Sequence, residues 1–421
     1  MATPWKLYVG LAFLLFAVLL LTWRGAAAAP PVPEGFSGSA PTQADVDEIT
    51  AKVVAQSKVL DGIVIPKLVP MNTVLKGVDP SQHYLINLAP ITITYAGYIG
   101  GGVFDASTFF KHAFALGIRS FVLPISRYKD DNKKPPIWPK SGTPALVYRD
   151  AQGNISSSNG LTVAQFSQGL VNSLGAASVQ QSEPIMIKIE AVSGTDRAGV
   201  SYVPDPDAEE KAYVEFMTKI AEGLKPLRDA NLLLTQLGQY GSPVGATQQD
   251  KILLQTPVKS LAGKVLITTD FDVSKYYKKA YVGTTGNLLE YVHFVVSNSP
   301  QQGKMSYYKT LPLTNISSTT DPDAARITLN EVKGTTIDDT ASVALALRKG
   351  VQILPLPLFE SSVAPDVTLE LIKPWKGAAW ALKPEETRYT KPAPVKAATP
   401  SQSMNARVVA DAQPGQIVVG K

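Results

Sequence analysis

Residues 105–126 read DASTFFKHAFALGIRSFVLPIS. The first part opens on a capping residue, Asp105 or Ser107, and stops at Gly117, which is the punctuation of a helix. The second part, IRSFVLPIS, is a short apolar run of strand character. A helix delivered into a strand across one glycine is the repeating unit of an α/β fold.

The alternation continues in both directions. Strand-like runs are HYLINLAPITITY (83–95), PALVYRD (144–150), EPIMIKIEAV (183–192), KVLITTDFD (264–272), LEYVHFVVSN (289–298) and VQILPLPLF (351–359). Helical runs are TVAQFSQGLVNSL (162–174), DAEEKAYVEFMTKIAEGLKPL (207–227) and DDTASVALALRKG (338–350). Strands with interleaved helices predict a parallel sheet. A span of roughly 300 residues suits a closed (β/α)8 TIM-type barrel over residues 80–389. An open doubly wound sheet is the alternative. No strand is followed by a glycine-rich phosphate fingerprint, and YIGGG (98–102) lacks its spacing and its helix start.

The ends differ from this middle. Residues 7–23, LYVGLAFLLFAVLLLTW, carry no charge and lie between Lys6 and Arg24. Seventeen residues span about 25 Å as a helix, the short limit for crossing a bilayer. The reading is a transmembrane anchor over residues 1–24, with Leu7, Leu14, Leu15, Phe16, Leu20 and Trp23 in contact with lipid. A cleaved secretory signal is the competing reading, because GAAAAP (25–30) offers small residues to a peptidase. Lys6 and the amino terminus favour an inside N-terminus and a barrel on the exoplasmic or lumenal side. The sequons at Asn154 and Asn315 are compatible with that. Residues 25–79 read as a linker with a short amphipathic helix, DVDEITAKVVAQSKVLDG (45–62). Residues 390–421 are rich in Pro, Ala and Gln and read as an extended tail, a candidate surface for protein partners in an assembly.

Composition limits the chemistry. Of 421 residues, 45% are hydrophobic and 18% charged, enough for a sizeable core. A net charge of +5 is mild for this length, and no basic stripe with interleaved aromatics predicts a nucleic-acid partner. With no cysteine there is no disulfide, thiol nucleophile or Cys-bound zinc. Only His83, His112 and His293 could serve as imidazole bases. His112 lies within a helix, His83 precedes the first strand, and His293 sits within a strand whose faces periodicity does not distinguish. No two share metal-ligand spacing.

The order of motifs resembles the catalytic barrel of phosphatidylinositol-specific phospholipase C, over about residues 84–389. GVQILPLPLF resembles the family's G-x-Q-h-h-x-L-N strand, where h is apolar. GAAWALKPEETRY resembles its closing G-Y-V-L-K-P-x-x-x-R. Asp338 and Asp339, ahead of a helix, are similar to the stretch before that strand. LGIRSFVLPIS, PALVYRDAQGNIS and EPIMIKIEAV resemble G-x-R-x-h-E-L-D, P-h-h-Y-H-G-x-x-x-T and P-h-h-L-x-L-E.

The resemblance implies two histidines attacking a phosphodiester and a calcium ion held by acids, and the chain departs from both. ITITYAGY has no histidine, Arg149 stands where the second histidine would be, and Leu123-Pro124 replaces calcium-binding acids. Glu190 alone keeps a family acid. An arginine stays protonated and cannot act as a base, although its fork can bind phosphate. Glu190 with Asp150 falls short of the six to eight oxygens calcium prefers. No cofactor is therefore expected. Arg149 is the candidate phosphate-binding residue, and Arg149, Lys188 and Glu190 are the residual candidates for chemistry. Lys188 and Glu190 alternate on one strand face, as a site pair or as a structural ion pair.

Two functions follow. The first is a membrane-anchored pseudoenzyme, a structural or binding module such as a part of a virion or envelope. The second is an active phosphodiesterase with a rearranged site, which requires Arg149, Lys188 and Glu190 to converge on an open mouth. A secreted lipid- or glycan-binding protein is a third reading.

Overall fold

A computed structural model of the chain describes residues 42–65, 67–127, 142–149, 155–176, 183–192, 202–233, 256–271, 286, 288, 291–295, 308–311, 329–332, 337, 339–360 and 365–389. The apolar segment 7–23, Asp150, both sequon asparagines and the tail 390–421 lie outside the described residues. Among the described residues, no helix is long and apolar enough to cross a membrane.

The strands are β1 (Leu88–Ile93), β2 (Ile118–Arg127), β3 (Pro144–Leu146), β4 (Leu161–Thr162), β5 (Ile185–Ala191), β6 (Val265–Thr269), β7 (Phe294–Val295), β8 (Tyr308–Leu311), β9 (Leu329–Val332), β10 (Pro355–Leu356) and β11 (Trp380–Leu382). The α-helices are α1 (Gln43–Asp61), α2 (Met71–Val74), α3 (Ala106–Ala115), α4 (Val163–Ala176), α5 (Glu210–Asp229), α6 (Thr340–Arg348) and α7 (Pro365–Ile372). The main sheet runs β10-β1-β2-β5-β6-β7, and every neighbouring pair in it is parallel. β11 adds antiparallel to the start of β1. β8 and β9 pair with each other in parallel. Among the described residues no pairing joins β7 to β10.

Local chemistry explains the elements. Asp105 accepts from the Thr108 amide at 2.7 Å and caps α3, which settles the choice between Asp105 and Ser107. Gly117, at φ +83°, turns the chain into β2. Phe109, Phe110, Ala113 and Phe114 line the buried side of α3. The Phe110 ring meets Phe121 of β2 at 5.4 Å and Phe166 of α4 at 5.1 Å. Asp339 caps α6 through the Ser342 amide at 2.7 Å.

β5 shows how both sheet faces are buried. Ile185, Ile187 and Ile189 join the core beneath the helices. Met186 joins a second cluster with Leu88, Leu266, Ile353 and Trp380 on the opposite face. Lys188 shares Met186's face one step further along, flanked in register by Val122 and Thr268. The apolar cluster therefore fills the strand starts, and polar groups gather toward the strand ends.

Three strand expectations are corrected. PALVYRD (144–150) reads as a strand of a parallel sheet, but β3 stops at Leu146 and runs antiparallel to β2. Its register sets Pro144 opposite Arg127 and Leu146 opposite Ile125, so the chain doubles back on the end of β2. LEYVHFVVSN pairs only at Phe294–Val295 within its described part, so His293 precedes the strand. VQILPLPLF pairs only at Pro355–Leu356, because its prolines remove ladder donors.

Candidate functional site

Five side chains are tied together where the parallel strands end and antiparallel β3 returns beside them. β1 is followed by Thr94 and Tyr95, β3 by Tyr148 and Arg149, and β10 by Glu360. The Tyr148 hydroxyl donates to Glu360 Oε2 at 2.9 Å, and the Thr94 hydroxyl donates to Glu360 Oε1 at 3.1 Å. Both carboxylate oxygens are thus engaged. Tyr148 stacks on Tyr98 at 4.6 Å between centroids, with planes 6° apart. Tyr95 leans on Tyr148 at 4.8 Å.

The loop after β1, YAGYIGGG, carries this aromatic group. Tyr95 is at φ +44°, and Gly100, Gly101 and Gly102 are at φ +90°, +59° and +75°. Three successive left-handed residues require glycine, and the tight coil they form turns Tyr98 and Ile99 inward. Tyr98 and Ile99 are buried, as are Val103 and Phe104 after them. The Gly102 amide donates to the Tyr98 hydroxyl at 3.0 Å, and Asn159 bridges both backbone groups of Phe104.

Charges surround the tyrosines. Burial, then Glu360 and Glu190, push the Tyr95 hydroxyl up to about 12, with Arg149 opposing. Burial and then the Glu360 charge raise Tyr148 as well. Both phenols stay protonated at neutral pH, and the Tyr148 hydroxyl serves as a hydrogen-bond donor.

The structure places the expected site residues as follows. Lys188, 1% exposed, lies 3.5 Å from Glu190, so the pair forms across one strand face. Arg149 is bridged to Ile155, with its guanidinium 4.1 Å from the centre of the Tyr202 ring. Arg149 and Glu190 both act on Tyr95, which places them around one end of the sheet. The histidines lie elsewhere. His83 contacts the Val78 carbonyl before β1. His112, 4% exposed, lies on α3 with its Nε2 3.4 Å from Asp61 of α1. Burial, and next Lys111, hold its pKa below the usual histidine value. His293 Nδ1 accepts from the Ile267 amide at 3.0 Å, against the backbone of β6. Among the described residues, no three acids or histidines are arranged to hold a metal ion.

Tyr95, Tyr98, Tyr148, Thr94 and Glu360 were not singled out from sequence. One signal was present: TITYAGY, VYRD and PLPLFE each place a polar or aromatic group directly after an apolar run, where strand ends carry function in α/β folds.

No family model matches the sequence. No curated protein matches it either. Similar solved structures are phospholipase C enzymes, the family whose motif order the sequence resembles. PLC21 of L. pealei is 14% identical at a TM-score of 0.47, over 77% of this chain and 40% of that one. The chain thus spans 40% of the length of PLC21. The calcium-dependent phosphoinositol-specific phospholipase C of Pseudomonas sp is 11% identical at a TM-score of 0.40, over 72% of this chain and 98% of that one. The phosphatidylinositol-specific phospholipase C of Listeria monocytogenes is 13% identical at a TM-score of 0.30, over 70% and 96%.

Proposed function

We propose that this protein is a non-catalytic structural or binding module on a closed phospholipase-C-like barrel, anchored in a membrane through residues 7–23. The observation that carries this reading is the chain of contacts Tyr98–Tyr148–Glu360–Thr94 at the strand ends. A working phosphodiesterase needs an open cleft there, with a base near neutral pKa within reach of the attacking hydroxyl. At these strand ends the Tyr98 and Tyr148 rings stack, the acid already accepts two hydroxyl protons, and the phenols do not ionise near neutral pH. Arg149 faces an aromatic ring and stays protonated, so it cannot act as a base. Protein partners are assigned to the tail 390–421, in an envelope or virion-like assembly, and no calcium or other cofactor is required.

The test is turnover by the purified full chain on phosphatidylinositol vesicles and on a soluble aryl phosphodiester. No product above the uncatalysed rate is expected. Product release that Arg149→Ala abolishes overturns the reading. It would favour the second one, a rearranged phosphodiesterase, whose supporting observation is the Lys188–Glu190 pair at 3.5 Å beside Tyr95. The anchor has its own test. Alkaline extraction should leave the full chain in the membrane pellet and release a chain lacking residues 7–23.

A further inference from the structure

At the strand starts, the face opposite the aromatic cluster, apolar and basic side chains come together on the surface. The described residues include six exposed large apolar side chains, and Val59, Val64 and Ile65 fall within seven residues of one another. Val64 is 80% exposed, the most of the six. An isolated exposed apolar side chain needs no explanation, but three around the end of α1 do. Lys58 and Lys67 flank them, and both are exposed. Segment 67–69 is laid beside 376–378, since the Val69 amide donates to the Gly377 carbonyl at 2.8 Å and Val69 bridges Ala378. That register brings exposed Lys376 next to Lys67.

Charge decides the partner. The acids nearby are already engaged: Asp61 with Lys111 at 2.7 Å, and Glu370 with Lys373 at 3.0 Å. Lys58, Lys67 and Lys376 have no ion-pair partner among the described residues. Three unneutralised lysines around a protruding apolar tip match an anionic bilayer, where lysines meet lipid headgroups and the apolar tip enters the acyl boundary. We propose that Val59, Val64 and Ile65, ringed by Lys58, Lys67 and Lys376, dock this end of the sheet on an anionic lipid surface. The proposal is independent of the anchor at residues 7–23 and of catalytic silence.

The chain has no cysteine, so one introduced thiol reports one position. Full-length Val64→Cys, labelled with an environment-sensitive fluorophore, is mixed with vesicles of phosphatidylcholine alone or with added phosphatidylserine. Emission should shift to the blue and rise several-fold with phosphatidylserine and change little without it. Lys67→Glu and Lys376→Glu in the same background should each lower the docked-to-free ratio about fivefold or more. A label on Val54→Cys, exposed on α1 away from the tip, should stay in water. No shift at position 64 overturns the proposal, as does a shift equal in both lipids or untouched by charge reversal. A shift without lipid that grows with protein concentration also overturns it and assigns the surface to a second copy.

Discussion

At the scale of single residues, Glu360 governs the tyrosines around it. Its charge raises the Tyr148 pKa, as does burial. Glu360→Gln keeps a hydrogen-bonding group and removes the charge, so phenolate absorbance should appear at lower pH than in the parent. Tyr148→Phe should cost about 1–2 kcal/mol in urea unfolding, because the bond to the carboxylate is only partly shielded from water. Lys383 is a second such residue. It is 2% exposed, and among the described residues its amine has no hydrogen-bond partner. Burial lowers its pKa to about 7, so the folded chain holds it neutral where the unfolded chain holds it charged. The unfolded state then binds one more proton between about pH 7 and the usual lysine value. Stability therefore rises with pH across that window and is lost as pH falls through it. Urea midpoints measured from pH 7 to 10 should climb in the parent, and most of the climb should vanish in Lys383→Met.

At the scale of elements, two ties hold the N-terminal segment on the sheet. Arg119, at the start of β2, pairs with Glu183 at 2.8 Å, and Glu183 also accepts from the Met71 amide of α2. Both partners are buried, so removing one strands a charge. Glu183→Ala should cost about 3–5 kcal/mol by urea unfolding. The other tie is α1. Lys52 reaches Ser158 at 2.8 Å, and Gln56 rests on the glycine coil after β1. A Cβ on Gly101 would lie 2.4 Å from Gln56 Nε2, on a backbone at φ +59°. Gly101→Ala should loosen α1, and limited proteolysis should cut within residues 43–61 faster than in the parent. Unchanged cleavage would mean that Gln56 moves aside without consequence.

At the scale of the whole molecule, protection should follow the sheet. β5 is flanked by β2 and β6 and covered on both faces, so its amides open only when the core does. Hydrogen exchange should be slowest in residues 185–191 and their partners in β2 and β6. It should be faster in β11, which among the described residues pairs only with β1. Equal exchange across the strands would contradict this order.

What could be read from the chain follows from how local each signal is. The α3–β2 unit was legible because a capping acid, a stopping glycine and an apolar run are neighbours in sequence. The Lys188–Glu190 pair was legible because strand side chains repeat every second residue. The direction of β3 was not, because that depends on which partner its connection can reach. The occupied strand ends were not legible either. Tyr98 and Tyr148 are fifty positions apart in the chain, and Glu360 lies more than two hundred beyond Tyr148. By itself the sequence determined the alternating elements and the absence of histidine from the segments ITITYAGY and VYRD. Only the tertiary structure decided what stands there instead, because packing brings rings and carboxylate together from three separate strands.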